Sequence, residues 1–418
     1  MAETRTEETK EQTERATLTQ RYRAAYAKLP PGLQLTGLML WMPVFFICLF
    51  CFCYINAFHA PTIKDAPVAV VGEPSTVTQL ERTTGTMFAY HEVPDRAAAD
   101  ELVRDGDDIG ALDLSDPARP ALVVASAHSY QAANVAKQIL TPVYAAQKQT
   151  LTVEDLAPLP AHDSYGMTTM YMTLSWCMGG YMLAMFIGLM GAPLRHRTRV
   201  AVILIGAAGL SFLANLLAGP VIGAVHGHFL QLWGIAYLWM VAIGLAVNGL
   251  SYFFGRFIAA PAVLVFLFLS IPSSGAAYPA FMLPTFFERL QPYVVGFGMT
   301  EMIKRTLYDV GEGYGKGFLL LGCYAVAGVV LMLVGKPWRQ RREIGRILAG
   351  RTTMFMDAQG AAREAGIEER ERVLAKYGER AHELAVAAED EDRLATDVMV
   401  TGGRPIDGIE RDENGPRH

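Results

Sequence analysis

Apolar runs of roughly 20 residues, long enough to cross a bilayer as helices, recur along this chain with polar stretches between them. Six stand out: 33–58, 167–190, 200–225, 229–254, 257–271 and 318–335. The fifth is short and passes into a segment that does not read as a simple turn. Residues 271–292 run Ile-Pro-Ser-Ser-Gly-Ala-Ala-Tyr-Pro-Ala-Phe-Met-Leu-Pro-Thr-Phe-Phe-Glu-Arg-Leu-Gln-Pro, with four prolines and two serines between two hydrophobic spans. Lipid cannot satisfy free backbone N–H and C=O groups, so broken backbone at membrane depth must be buried in protein or face water. The pattern predicts a re-entrant or interfacial outer hairpin over 271–317, an element that often lines a transport path.

A different pattern fills residues 59–165. Pro67-Val-Ala-Val-Val-Gly72, 87–93, 109–114 and 120–125 are short, β-branched or apolar runs bounded by turn residues, and read as strands. Residues 74–83 and 96–103 read as helices, and 130–149 as a longer one with Val135, Ile139 and Val143 on one face. A turn at 115–117 joins the last two strands. The expected unit is a small α/β domain of about 100 residues, large enough for its own core.

Lys and Arg then set the orientation, because short cytoplasmic loops carry an excess of them. Arg21, Arg23 and Lys28 precede the first span; Arg195, Arg197 and Arg199 fill the second loop; Arg256 follows span four; Lys336, Arg339, Arg341, Arg342 and Arg346 follow span six. Both termini are therefore expected in the cytoplasm, and 59–165 outside. The first span reads as a retained anchor, since its apolar core exceeds that of a cleaved signal. The expected organisation is a cytoplasmic segment 1–32 with a basic amphipathic stretch along the inner headgroups, an anchor 33–58, the outer domain 59–165, five further helices over 166–335, and a cytoplasmic tail 336–418. Within the tail, Ile367, Leu374, Tyr377, Ala381 and Leu384 recur near a coiled-coil period, which also fits a lone amphipathic helix, and the last 25 residues have the composition of disorder.

The chain is 52% hydrophobic and 18% charged with a net charge of −5, which suits a mixed membrane and soluble protein. No basic stripe with interleaved aromatics supports nucleic-acid binding. The five cysteines all lie in apolar runs and read as packing residues rather than a disulfide framework. The outer domain carries 15 acidic and 7 basic residues. Its cluster Asp105, Asp107 and Asp108 fits a solvated turn better than a cation site. His226-Gly-His228 lacks a third ligand. His91-Glu92 and His162-Asp163 stand apart from any nucleophile, so an enzyme has no support. Gly311-Glu-Gly-Tyr-Gly-Lys-Gly317 has neither the spacing nor the Ser/Thr of a phosphate loop, and no other ATP-binding motif occurs. Glu288, Arg289, Glu301, Lys304 and Arg305 lie close to the last two spans, where charges facing lipid are costly. Glu301 has i,i+3 spacing to Lys304 and i,i+4 spacing to Arg305, and outer ion pairs are the expected outcome.

Taken together these features resemble permeases of the ABC-2 superfamily, most closely the YhgE/Pip group. The residues that carry the resemblance are Pro272-Ser-Ser-Gly275, Pro279, Leu283-Pro284, Phe286-Phe287 and Pro292, with the helical run 298–307 and the strands near 68–72 and 109–115. Gln291-Pro292 departs from the group's usual Asn-Pro, the outer domain is smaller than in many members, and the acidic tail has no counterpart. The resemblance implies an α-helical membrane protein of six transmembrane helices with a small extracytoplasmic α/β domain. It implies export of a lipid-like, amphipathic or peptide substrate by a permease that binds no cofactor itself and is moved by a separate ATPase, as a homodimer or heterodimer. By the same analogy Pro272, Ser273, Ser274, Gly275, Pro279, Leu283, Pro284 and Pro292 would shape the outer exit, and Arg21, Arg23, Arg195, Arg197 and Arg199 would contact the ATPase. The rival reading is a receptor or scaffold whose outer domain binds a cell-surface or secreted partner.

Overall fold

The computed structural model describes residues 25–348 and 354–377, except 60, 62, 73, 117 and 191–193. Arg21 and Arg23, most of the basic amphipathic stretch, the turn residue Pro117, and the tail with Ala381 and Leu384 fall outside the described residues. Two compact units emerge, and the division falls near residues 41 and 350.

The larger unit begins with helix α2, Trp41–Phe50, which follows α1, Pro31–Met39. The expected first span of 33–58 is thus broken at Leu40. Pro43 supplies the reason: it has no N–H to return to the Met39 carbonyl, so it sits in the first turn of a new helix. The helical path then continues through a wider turn at Cys51–Ile55 to Phe58.

The sheet domain follows, with β1 Ala66–Val71, α3 Pro74–Thr84, β2 Phe88–Glu92, α4 Arg96–Asp105, β3 Gly110–Asp113, β4 Ala121–Val124, α5 Tyr130–Ala146 and β5 Thr152–Asp155. The strand order is β2-β1-β3-β4-β5, parallel except where β3 meets β4. Side chains alternate across a strand. Val68, Val70, Leu112, Leu122 and Val124 therefore face one core with Leu80 and Leu140, while Ala69, Val71, Ala111 and Val123 face another with Ala99 and Val103. Capping sets the helix starts: the Asp95 carboxylate accepts from Ala98 N at 2.8 Å, and Ser129 Oγ from Ala132 N at 3.3 Å. Arg96 ties α4 to β3 and β5 through Asp113 and Glu154. The strand β5 has no counterpart in the sequence reading, because its residues are polar and mostly exposed.

The acidic cluster is not solvated throughout. Asp108 is 4% exposed, and its Oδ2 lies 3.1 Å from His91 Nε2. Burial pushes the Asp108 carboxyl up from 3.8 to about 6, opposed by His91 and helped by Asp107. The native state therefore binds more protons than the unfolded chain over that window. This contribution to stability is full below about pH 4, declines as pH rises to 6, and stays flat above. At about 1.4 kcal/mol per pKa unit the loss is roughly 2–3 kcal/mol. Asp108→Asn is expected to flatten this slope. Hydrogen exchange at the β2 and β3 amides, corrected for intrinsic rates, measures it, and a slope equal to the wild type's would refute the assignment.

The rest of the larger unit is helical: α6 Thr168–Met190, α7 His196–Leu216, α8 Phe229–Phe254, α9 Ala259–Val263, α10 Thr285–Leu290, α11 Val295–Tyr308 and α12 Tyr314–Leu348. Asp163 caps α6, accepting from Met167 N at 3.0 Å and Thr168 N at 3.2 Å. Among the described residues five helices are long and apolar enough to cross a membrane: Trp41–Phe58, Thr168–Leu189, His196–Val221, Phe229–Phe254 and Tyr314–Gly345. The expected fifth span is shorter, an apolar helix over Ala259–Leu269 whose second half winds as a wider turn. The expected last span does not stop at Gly335: α12 passes through Pro337 and continues as a basic arm, with Trp338 stacked against Phe253 and under Arg342. The centre of the bundle is α8, of which 56% of the apolar window is buried, against 11% for α12. Small residues allow its close packing: a Cβ on Gly328 would meet the backbone of Leu245 and Ala246 at 2.5 Å, and one on Gly249 the Gly328 carbonyl at 2.7 Å.

The smaller unit pairs α1 with α13, Met354–Tyr377. Gln34 is buried and donates to the Leu29 carbonyl at 2.7 Å. Ala358 is buried, whereas Ile367 and Leu374 of the expected seam are 54% and 52% exposed.

Candidate functional site

The broken segment predicted between the last two spans is present, and its first turn, residues 271–275, is buried. Pro272, Ser273, Ser274 and Gly275 form a closed turn after the wider helical turn at Leu264–Leu269. Side chains and neighbouring backbone bond part of its main chain, as a low-dielectric setting favours. Ser274 Oγ donates to the Ile271 carbonyl at 2.7 Å and accepts from Ala276 N at 3.2 Å. Ser270 Oγ accepts from Gly296 N at 2.8 Å, which docks this turn on the start of α11. Gly296 has to be Gly, since a Cβ there would lie 2.5 Å from the Ser270 carbonyl oxygen. The Ser273 hydroxyl is buried with no hydrogen-bond partner among the described residues.

From that turn the chain runs along the underside of the sheet domain. Half-buried Phe281 packs against the domain's core near α5, while Leu283 and Phe287 pack into the helical core. Pro279 and Pro284 are half-buried and Pro292 is exposed, so the prolines expected to shape an exit do not share one environment.

The charged residues divide in the same way. Glu301 and Lys304 are almost wholly buried, with Lys304 Nζ 3.5 Å from Glu301 Oε1. Lys304 also donates to the Gly275 carbonyl at 3.4 Å, and Glu301 Oε2 accepts from Glu312 N at 3.1 Å. The carboxylate fits because Gly311, at φ 90°, has no Cβ; one there would lie 2.5 Å from Oε2. The expected Glu301–Arg305 pair does not form: Arg305 turns to Asp309 at 3.3 Å. Glu288 and Arg289, on α10, are exposed and make no ion pair among the described residues. Half-buried His128 lies close by, its ring against Gly106, and burial first, then the Lys304 ammonium, hold its pKa well below the usual imidazole value. Gly311 N donates to the Arg104 carbonyl at 2.8 Å, and Tyr308 OH donates to Asp163 at 3.1 Å. Phe281, His128 and Asp163 thus join the hairpin to the sheet domain. The sequence reading missed all three, since only Asp163, a capping residue before an apolar run, carries a local signal.

At the opposite end of the helices Arg195 and Arg197 are exposed, but Arg199 is not part of an accessible loop. It is 3% exposed, on the first turn of α7, with its guanidinium 5.4 Å from the Tyr252 ring centre. Its position one turn into the helix buries it against α8. His226 meets His162 with nitrogens 3.4 Å apart, and among the described residues no group of three or more His, Cys, Asp or Glu is placed to hold a metal.

Five membrane-length apolar helices, four of them packed around a buried hairpin, define a multi-pass membrane protein. Residues 35–334 match the family model described as ABC-2 family transporter protein, and the chain belongs to that family. The family is a membrane transport component that generally works with a separate ATPase subunit. Comparison with curated proteins and with solved structures gave no match.

Proposed function

We propose that this chain is the permease subunit of an ABC-2 exporter of the YhgE/Pip type, moving a lipid-like, amphipathic or peptide substrate outward on energy from a separate ATPase. The family match over 35–334 carries this reading. The buried turn at 271–275 supports it, because irregular backbone next to membrane spans is often kept where it serves a path. In this reading the sheet domain and residues 271–317 are extracytoplasmic and both termini are cytoplasmic, following the Lys and Arg of 195–199 and 336–346. The ATPase docks on exposed Arg195 and Arg197 and the basic arm of α12, with Arg21 and Arg23 close in sequence to the first span. A second permease copy or relative completes the path, and the short helix Ala259–Leu269 with the hairpin acts as the sixth membrane element.

Affinity purification from native membranes in mild detergent, with an ATPase assay, tests the reading. It expects a co-purifying nucleotide-binding subunit with vanadate-sensitive activity. A preparation free of ATPase after crosslinking would favour a receptor or scaffold instead. At the hairpin, Ser274→Leu forces a larger side chain into a fully buried turn at a cost of about 1–3 kcal/mol. Efflux at equal surface expression is expected to fall to background, and to fall less for half-buried Pro284→Ala. Unchanged efflux in Ser274→Leu would count against a role for the hairpin.

A further inference from the structure

Where α7 ends, the helix opens into a wide turn over Leu217–Val221 that contains Pro220. Wide turns of this kind often mark functional sites. Beside it lies a cavity of about 720 Å³, bounded by this turn, the loop that follows and the first turn of α8. Its lining at the start of α8 includes Leu230, which is 74% exposed, and Pro220 lies on the facing turn. Deeper in, the lining includes Asn215, which is 3% exposed. Asn215 Nδ2 donates to the Ser211 carbonyl at 2.8 Å, and among the described residues its buried Oδ1 has no partner, an acceptor left open at the cavity wall.

A second cavity, of about 470 Å³, lies between the helices and the sheet domain and shares Val225 and His226 with the first. Its lining includes Arg104, His162, His226 and Tyr308 and no carboxylate. That is unexpected beneath a domain with 15 acidic residues. The nearby Asp163 is turned to the α6 N-terminus and the Tyr308 hydroxyl. The two spaces adjoin through the shared Val225 and His226 as one crevice, lined by Pro220 and Leu230 at the helix ends and by Arg104, Tyr308 and the His162–His226 pair beside the sheet domain.

We propose that this crevice binds one anionic amphiphile. Its head lies at Arg104, His162 and His226, a hydroxyl or amide N–H near the head bonds to Asn215 Oδ1, and its apolar chain lies along the α7–α8 rim beside Pro220 and Leu230. The inference deepens the permease reading, on which the role of the bound molecule as cargo rests.

The test uses the full-length protein in a neutral detergent and a long-chain alkyl phosphate with a photoreactive group in its chain. Labelling is expected to concentrate in residues 215–232. Unlabelled alkyl phosphate should compete, while an alkyl glucoside of equal chain length and inorganic phosphate should not. The double variant His162→Ala, His226→Ala is expected to weaken binding about tenfold, and Leu230→Trp, which fills the rim from an exposed position, to abolish labelling without lowering the melting temperature. Labelling spread evenly over the apolar helices would overturn the site. Equal competition by the glucoside would overturn the anionic head, and full competition by inorganic phosphate would overturn the amphiphile. Binding is read without ATPase or transport. A protein that labels here and exports nothing sinks the permease reading alone; one that exports while the crevice stays unlabelled sinks this site alone.

Discussion

Lys304→Met is expected to cost about 3–5 kcal/mol of stability, as breaking a buried ion pair from one side does. The side chains of Lys304 and Glu301 are 4% and 5% exposed. Without the ammonium, Glu301 keeps only the Glu312 amide, and a carboxylate with one neutral donor is poorly paid for leaving water. The Gly275 carbonyl loses its donor as well, which loosens the turn at 272–275. The double variant Glu301→Gln, Lys304→Met should recover most of the loss, because a neutral pair carries no desolvation penalty of this size. Arg305→Ala is the control: its pairing with exposed Asp309 is worth at most about 1 kcal/mol. Denaturant unfolding in detergent compares the four proteins. If Lys304→Met costs no more than Arg305→Ala, the buried pair is not what holds the turn.

Gly328→Leu is expected to have a larger effect, because what it strikes cannot move. The nearest atoms to a new Cβ are backbone, 2.5 Å away on α8, whereas overpacked cores usually yield by turning side chains. The two helices must separate along their contact, which removes α12 from the buried centre of the bundle. A loss of at least about 3 kcal/mol follows from the upper end of the overpacking range, and the yield of monodisperse protein should fall with it. Gly322, six residues earlier on α12, has nothing within 4 Å of its missing Cβ, so Gly322→Leu should leave both melting temperature and yield unchanged. Equal behaviour of the two variants in size-exclusion and melting experiments would mean that the α8–α12 contact is not as close as described.

Much of this architecture is legible in the chain because its signals are local. The β-branched run at 67–72 and the turn after 114 announce the sheet, and apolar length announces all five long helices, though not the start of the first or the end of the last. The break at Leu40 was also within reach, since Pro43 sits inside the first apolar run. The continuation of α12 was not, because hydropathy ends at Gly335 while the helix, carried by its basic arm, does not. Polar β5 failed for a related reason: an edge strand needs no apolar alternation. Spacing exposed the Glu301–Lys304 pair but not its burial, which depends on Gly275 and Glu312 folding over it from either side. The same spacing suggested Arg305 as a partner for Glu301, yet the helix turns it toward Asp309. Asp108 looked solvated because His91, its partner, is 17 residues away in sequence and adjacent only through the sheet. The crevice had no local trace beyond two histidines, for it forms where a widened turn, a loop and a separate domain meet.

The fastening of the sheet domain has a practical consequence. With Phe281 packed against its core, Gly311 bonded to Arg104 and Tyr308 bonded to Asp163, the domain is fastened to the hairpin at three points. It therefore works as a handle on the hairpin and as a gauge of it. A binder that clamps the sheet should brake whatever rearrangement residues 271–308 undergo. A dye on exposed Val153, at the far edge strand, should register that rearrangement at a distance without touching any residue of the hairpin.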